Sequence, residues 1–538
     1  MKKVVSLFIL LAICLHTNAQ QFFDSVTYRG AFAPAPQAMW TGAWVNWDPQ
    51  NANYPAPTDF VTSDITVNTT WTTGKVYLLQ GPIFITNNAE LTIQPGVIVL
   101  GEKAANGAGL FVTRGAKLYA IGTEQSPVVF SSDQAAGQRN LGDWGGIVLM
   151  GNAHVNQAGG TAYVEGFANS ANTQYGGGAT PNENDNSGAL QYVRIEFGGY
   201  IYQPNKEINA LTLGGVGAGT TLDHIQVSYT NDDAFEWFGG SVNARHLVSY
   251  RNLDDDFDTD FGYNGNVQFG LVVRDPSIAD NPSVSTSEGF ESDNDASGST
   301  ASPFTSAIFS NITLIGPYRG NTASTIASGY RRGARIRRNS KLNICNSLFL
   351  DFQRGIHIDG AACEANALAG DIHFMNNIVA GCVTGKTCEV NAGSTFDIWS
   401  YFGSHGNDSL TTTTGLLINP YNFLSPDYRP DSVSMSHAGA AFTDSIFTGK
   451  MLMFALGTEN LNSEMQGFNV YPNPSSNLIY CTGMNANMKY TISLYSITGE
   501  KVMVSNTTPL DISSIPSGVY LVEMTGNGQR AIRKVVKY

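Results

Sequence analysis

The chain has 538 residues, of which 14% are charged and 57 are glycine, and its formal net charge is −14 at pH 7. This composition favours strands and turns, and no capped amphipathic helix is predicted after the N-terminus. Residues 20–466 carry a net charge of −19, which excludes nucleic acid and anionic lipid as partners through charge repulsion.

The N-terminus has the features of a secretory signal peptide. Lys2 and Lys3 precede an apolar run, and Ala19 closes a small-residue cleavage site. Residues 1–19 are therefore predicted to be removed on export. No later stretch is apolar for long enough to cross a bilayer, so the mature chain is expected to contain no transmembrane segment.

Residues 20–80 are rich in tryptophan and proline and are predicted to form an N-terminal cap and a first strand. A stack of strands needs a cover at its end, because the end strand would otherwise expose apolar core and unpaired backbone groups. Trp40, Trp44, Trp47 and Trp71 are interpreted as the core of this cap rather than as a platform for stacking sugars.

Self-similarity with a period of 22 residues predicts the fold of residues 81–400. Phe235 and Phe257 occupy equivalent places in two matching segments, and Arg332–Arg337 matches Arg354–Asp359 at the same distance. Short repeats of this kind in strand-rich sequence indicate stacked coils. The fold class is therefore all-β, with a parallel β-helix. Residues 156–188 are predicted to be a long projecting loop, and residues 401–466 to cover the far end.

Residues 467–538 form a separate segment of short strands that predicts a small β-sandwich. Four of its motifs resemble the type A C-terminal sorting domain of type IX secretion substrates. They are Tyr471–Pro474, Leu494–Gly499, Ile515–Tyr520 and the basic end Arg533–Lys537. The resemblance implies a Bacteroidetes-type outer membrane, the type IX machinery as a partner, and removal of this domain. The body would then be released or held on the outer cell surface.

The body itself resembles, at the level of fold, the right-handed parallel β-helix superfamily of pectate lyases and polygalacturonases. Aligning the coils on their phenylalanines sends the residues that follow outward, because side chains alternate along a strand. Glu236, Asp258 and Glu291 are then predicted to stack in one column, with Asp260 and Asp293 in the next.

Stacked carboxylates repel one another by about 0.8 kcal/mol in water at about 5 Å, and by more where solvent is excluded. Ca²⁺ is the expected counter-ion, since it accepts oxygen ligands in irregular arrangements. The alternative is a solvated acidic face, partly neutralised by arginine. The candidate Ca²⁺ ligands are Glu236, Asp256, Asp258, Asp260, Glu291 and Asp293.

Carboxylates near arginine also suit the cleavage of acidic polysaccharides. Asp232 and Asp233 resemble the paired aspartates of polygalacturonases, and Arg335–Arg337 resembles their basic tripeptide, although the Gly-His-Gly element between them is missing. The candidate catalytic residues are Asp232, Asp233, Asp258, Arg335 and His357.

Cysteine and histidine spacing predicts no zinc site, because no Cys-x-x-Cys or Cys/His cluster is present. The sequence does not determine which of Cys363, Cys382 and Cys388 would form a disulfide.

Three functions remain open at this point. The first is an exported protein that binds glycan or extracellular matrix through an acidic face with Ca²⁺. The second is a polysaccharide lyase or glycoside hydrolase, and the third is a structural surface or adhesion protein.

Overall fold

In a computed structural model of the protein, the described residues are 21–203, 206–319, 325–452, 469–482, 490–496, 501–516, 518–526 and 529–537. The predicted signal peptide lies outside these ranges. Within them, no helix has both the length and the apolar character needed to cross a bilayer. The chain divides into two compact units, Met1–Met451 and Leu452–Tyr538.

The first unit is a right-handed parallel β-helix built from two long parallel sheets. Sheet 1 contains, among the described residues, the strands Asp59–Val61, Thr69–Trp71, Val76–Leu79, Glu90–Ile93, Ile98–Gly101, Lys117–Ile121, Val128–Ser132, Gly188–Glu196, Thr221–Ser228, Asn243–Tyr250, Asn266–Val273, Ile308–Ile315, Asn343–Cys345, Leu348–Leu350, Phe374–Met375, Ile378–Ala380 and Asp408–Leu410. Sheet 2 contains Pro82–Ile85, Gly109–Val112, Ile147–Met150, Leu211–Gly214, Phe235–Phe238, Phe257–Asp260, Phe290–Ser292, Arg332–Ile336, Arg354–Ile358 and Cys388–Glu389.

Parallel pairing extends beyond the predicted limits of residues 81 and 400. Asp59–Val61 already pairs with residues 77–79, and Asp408–Leu410 pairs with residues 378–380. The coils therefore begin inside the region predicted to be the cap. The fold itself agrees with the all-β, parallel β-helical prediction, and its core is one continuous apolar column between the two sheets.

The longer strands of sheet 1 bend at a single residue, which gives each coil a third side. The residues at these bends have φ values between 50 and 64° and stack from coil to coil. Non-glycine residues seldom adopt this left-handed conformation, and asparagine does so most readily. The bend residues are Tyr192, His224, His246, Phe269, Asn311, Asn346 and Asn376.

The N-terminal segment, residues 22–48, does not cap the first coil as predicted. It runs along the outer face of sheet 1, where Trp44 belongs to one apolar cluster with Val248, Tyr250 and Leu271. The physical reason is that these sheet residues are apolar and point away from the central core, so they need cover of their own. The end of the first unit runs along the same sheet, with Leu416, Leu417, Tyr428 and Phe447 buried against it.

Two buried glutamines attach the N-terminal segment to sheet 1. Gln226 accepts a hydrogen bond from the Asn46 backbone N–H at 2.9 Å and donates one to the Asn46 carbonyl at 2.8 Å. Gln268 does the same with Asp24, at 2.8 and 2.9 Å. Each amide group therefore pairs with the main chain as a neighbouring strand would.

Two short α-helices, Ala361–Ala369 and Ile398–Ser404, contradict the expectation of no helix. The first is alanine-rich and ends at Gly370 in the left-handed conformation, which is a good helix end despite weak periodicity. The second buries Tyr401 and Phe402 in the central core. Short 3₁₀ turns in the described ranges include Pro49–Asn51, Lys103–Ala105, Ala158–Gly160, Met435–His437 and Ser445–Phe447.

Among the residues that the structure describes, three antiparallel pairs of strands lie outside the two long sheets of the first unit: Ala162–Tyr163 with Gln174–Tyr175, Ile201–Gln203 with Lys206–Glu207, and Leu417–Asn419 with Asp427–Pro430. The second unit is antiparallel, as predicted, with two sheets around one core. One sheet contains Asn469–Tyr471, Leu478–Thr482 and Leu510–Asp511; the other contains Lys501–Ser505, Thr491–Ser496, Gly518–Gly526 and Gln529–Lys537.

Candidate functional site

The register of sheet 2 places the predicted acidic residues on adjoining coils. Glu236 pairs with Asp258, and Asp258 pairs with Glu291. Their neighbours Phe235, Phe257 and Phe290 are fully buried, and successive rings lie 5.8 and 5.1 Å apart. The predicted column of three carboxylates is therefore confirmed, because alternation along the strand sends the phenylalanines inward and the acids outward.

The same column continues into the downstream repeat. Glu291 pairs with Arg335, Arg335 with His357, and His357 with Glu389. Both repeats thus occupy one face of the molecule, a point that the sequence left open. The column is acidic over three coils, then basic, then mixed.

Three groups of carboxylates surround the acidic part of the column. In each group one oxygen from every member lies within 4.8 Å of the others. Consecutive groups share a residue, first Asp233 and then Asp258. The groups are Asp232, Asp233 and Asp254; Asp233, Glu236 and Asp258; and Asp255, Asp258 and Glu291.

Burial makes this cluster electrostatically costly. It raises the pKa of Asp233, Glu236, Asp255 and Asp258 well above the usual range, and neighbouring carboxylates raise it further. Burial likewise raises the pKa of Glu291 to about 7, although Arg337 opposes the shift. Burial and mutual repulsion therefore favour the protonated form of these groups unless a cation binds among them.

Three buried oxygen atoms of the cluster and its surroundings make no hydrogen bond within the described part of the chain. They are Oδ1 of Asp254, Oδ1 of Asp258 and Oδ1 of Asn209. Asn209 also contacts Glu236 through Nδ2, and these two residues line one small cavity. An amide group and several carboxyl groups that line one cavity supply oxygen atoms of the kind that suits Ca²⁺.

The other predicted Ca²⁺ ligands are not members of these three groups. Asp256 is fully buried and pairs with Arg274 Nε at 2.7 Å, so the structure does not bring it to the face. It precedes the strand, where alternation from Phe257 no longer predicts orientation. Asp293 binds Arg337 and Arg338, both at 2.7 Å, and Asp260 accepts a hydrogen bond from the Phe261 N–H at 2.6 Å.

The five candidate catalytic residues do not converge. Asp232, Asp233 and Asp258 lie together, but Arg335 is two coils beyond Asp258 and His357 is three, or about 10 and 14 Å at the usual strand spacing. Arg335 instead contacts Asp359 at 2.8 Å and Glu291 at 3.5 Å.

His357 is buried, and its Nε2 lies 2.7 Å from Asn391 Oδ1. Burial lowers its pKa, so the ring is neutral at pH 7. With a side-chain partner for Nε2 and little exposure, His357 has limited access to a polymeric substrate.

The predicted projecting loop folds back onto sheet 2 instead. Tyr175 is buried against Phe238, with ring centres 6.0 Å apart, and Phe167 packs on Phe111 at 4.9 Å. Apolar outward residues of sheet 2 explain this, because Phe111, Val148 and Met150 would otherwise be exposed. The loop leaves a cavity of about 150 Å³ that Glu165, Asn209, Asp233 and Glu236 help to line.

A second, more open cavity of about 400 Å³ lies downstream. Its lining includes Arg335, Arg337, Arg338 and Asp359. Each arginine contacts a carboxylate, and Arg338 remains 44% exposed. The face therefore offers an acidic cavity beside an arginine-rich one.

Sequence reasoning did not assign Asn209, Asp254 and Asp255 to the site. The aspartate run at residues 254–256 gave a signal, since its first two members follow the paired aspartates by one 22-residue coil. Nothing in the sequence around Asn209 or Glu165 indicates that they reach the same cavity.

Comparison with known proteins assigns both units. The sequence model of the pectate-lyase like β-helix domain matches residues 63–413. The chain belongs to this family. The model of the secretion system C-terminal sorting domain matches residues 469–538. The type IX sorting domain implies export to the cell surface or beyond.

No curated protein matches the chain. Among solved structures, the full-length tailspike protein 2 of Escherichia coli O157:H7 bacteriophage CAB120 aligns with 10% identity and a TM-score of 0.14. The alignment covers 86% of this chain and 59% of the tailspike chain.

Proposed function

We propose that this exported β-helix protein binds an extracellular glycan through the outer face of sheet 2, with Ca²⁺ held by the acidic cluster. The observation that carries the proposal is the shared set of buried carboxylates around Asp233 and Asp258, next to the unpartnered Oδ1 of Asn209. A cation would satisfy these oxygens and remove the repulsion between them.

The shape of the outer face of sheet 2 supports a polymer that lies across the surface rather than one that enters a pocket. The acidic cavity of about 150 Å³ is smaller than the usual range of about 300–1,000 Å³ for organic ligands, so it suits ions. A glycan lying over the ions would reach Arg338 in the neighbouring cavity. An acidic glycan fits this arrangement, since some of its carboxylates or sulfates would contact Ca²⁺ and others would contact the arginine.

The experiment is binding of the full chain to a panel of neutral and acidic polysaccharides, with Ca²⁺ and with EDTA. Wild type is expected to bind an acidic polysaccharide only with Ca²⁺, and Asp258→Asn to weaken binding at least tenfold. Asp371→Asn is the matched control, because Asp371 is a partly exposed carboxylate that pairs with Lys341 elsewhere on the body. Binding that survives both EDTA and Asp258→Asn would contradict the proposal.

A lyase or hydrolase is the second candidate, and the raised pKa of Glu236 and Asp258 favours it. A carboxyl group that stays protonated near neutral pH is suited to general acid catalysis. The position of Arg335 argues against a lyase of the predicted type. New reducing ends or unsaturated uronates in the same panel would identify the enzyme. Ca²⁺ binding without affinity for any glycan would favour the structural role.

A further inference from the structure

On the outer face of sheet 1, three side chains with metal-binding atoms converge away from the acidic cluster. His224 and His246 are 22 residues apart and occupy the bend position of adjacent coils, where their rings stack at 4.2 Å. Their Nδ1 atoms lie 2.8 and 2.7 Å from the same atom, Oδ1 of Asp223. The coil period therefore produces a two-histidine, one-carboxylate set.

The contacts within this set are not fully explained by hydrogen bonding. His246 Nδ1 makes a hydrogen bond with Asp223, but His224 Nδ1 does not have the geometry for one and is buried without another partner. One carboxylate oxygen thus faces two imidazole nitrogens and satisfies only one. A cation among the three atoms would bind all of them.

We propose that Asp223, His224 and His246 form a binding site for a divalent transition metal of the Zn²⁺ class. Two imidazole nitrogens and a carboxylate oxygen are the ligands that Zn²⁺, Cu²⁺ and Ni²⁺ prefer, whereas Ca²⁺ prefers oxygen alone. Tetrahedral bonds of about 2.0–2.1 Å hold ligand atoms about 3.3 Å apart, so the present contacts need to widen by about 0.5 Å.

A neighbouring arginine does not compete with a metal for Asp223. The nearby Arg245 is paired with Asp24 at 2.8 Å and so does not take up the Asp223 charge.

The surroundings of the site connect it to the N-terminal segment. Trp40 packs edge-on against His246 with ring centres 5.0 Å apart, and Trp44 packs against His224 at 5.6 Å. A metal that fixes both imidazoles would therefore also fix the surface on which these tryptophans rest. Binding is expected to raise the unfolding temperature by a few degrees, because a ligand stabilises the folded state that binds it.

The test measures metal binding by the full chain without an affinity tag. Wild type is expected to retain one equivalent of Zn²⁺ in the presence of excess Ca²⁺. It should also give Co²⁺ visible absorption bands typical of four or five ligands. His246→Gln and Asp223→Asn are expected to weaken Zn²⁺ binding at least tenfold and to remove those bands.

Two control variants separate this site from other metal binding. His405→Ala removes a histidine at the end of the second helix, and Asp258→Asn alters the acidic cluster; neither is expected to change the tight Zn²⁺ site. Unfolding curves would verify that each variant is folded. Equal Zn²⁺ affinity in wild type and His246→Gln, displacement of Zn²⁺ by Ca²⁺, or no tight binding at all would overturn the proposal.

Discussion

The outer faces of the two long sheets are built from the same coils but differ in what they present. On sheet 1 the outward residues include Val248, Tyr250 and Leu271, and the N-terminal segment covers them. On sheet 2 the outward residues Glu236 and Asp258 are acidic and keep part of their surface exposed. Apolar outward residues stabilise a β-helix once they are covered, whereas stacked acids destabilise it. The proposed cation would offset this cost on the acidic face.

The largest effect is expected from a substitution in the N-terminal segment, which covers the outer face of sheet 1. Trp44 is fully buried, so Trp44→Ala is expected to lower the free energy of unfolding by about 3–5 kcal/mol. Urea unfolding followed by circular dichroism would measure the loss. Trp399→Ala is the matched control, because Trp399 is 49% exposed and should cost far less. Equal losses in the two variants would show that the N-terminal segment contributes little stability.

The next test concerns pH and the acidic face. Glu291 has a pKa of about 7 when folded, against 4.5 as the ordinary value. The folded state therefore binds more protons between these values, so in EDTA stability should fall as pH rises from about 4.5 to about 7. The shift corresponds to a loss of the order of 3 kcal/mol.

Calcium provides the control for the pH experiment. Ca²⁺ binds the deprotonated carboxylates, so it should raise stability most at and above neutral pH and oppose the fall. Unfolding midpoints at several pH values, with Ca²⁺ and with EDTA, would measure both effects. A profile in EDTA that rises through this range would contradict the burial of protonated acids.

Part of the difference between the two outer faces could be predicted from the sequence. The 22-residue period together with alternation from Phe235 and Phe257 was enough to place Glu236 opposite Asp258. Alternation gave no guide to Asp256, which precedes the strand and pairs with Arg274. The path of residues 22–48 and of the loop containing Tyr175 depends on long-range packing that no local pattern records. The pairing of His224 with His246 follows from the period, but zinc-motif spacing does not reveal it.

A smaller effect is expected from the glutamines that attach the N-terminal segment. Gln226→Ala leaves the Asn46 N–H and carbonyl without their partner, which is expected to cost about 1–3 kcal/mol. Hydrogen exchange at residues near Asn46 should accelerate more than exchange in the core strands. Gln125→Ala is the control, since the Gln125 side chain contacts only the exposed neighbour Glu124 among the hydrogen bonds described for it. Unchanged exchange near Asn46 would mean that packing alone holds the segment.

The smallest effect on stability is expected at Arg338 on the charged face. Its side chain is 44% exposed and pairs with Asp293, so Arg338→Ala should change the free energy of unfolding by less than about 1 kcal/mol. If the face exists to bind an acidic glycan, the same variant should nevertheless weaken binding several-fold, and more strongly at low salt. Parallel measurement of unfolding and glycan affinity separates the two effects. A loss of stability without a loss of affinity would show that Arg338 has a structural role and does not contribute to glycan binding.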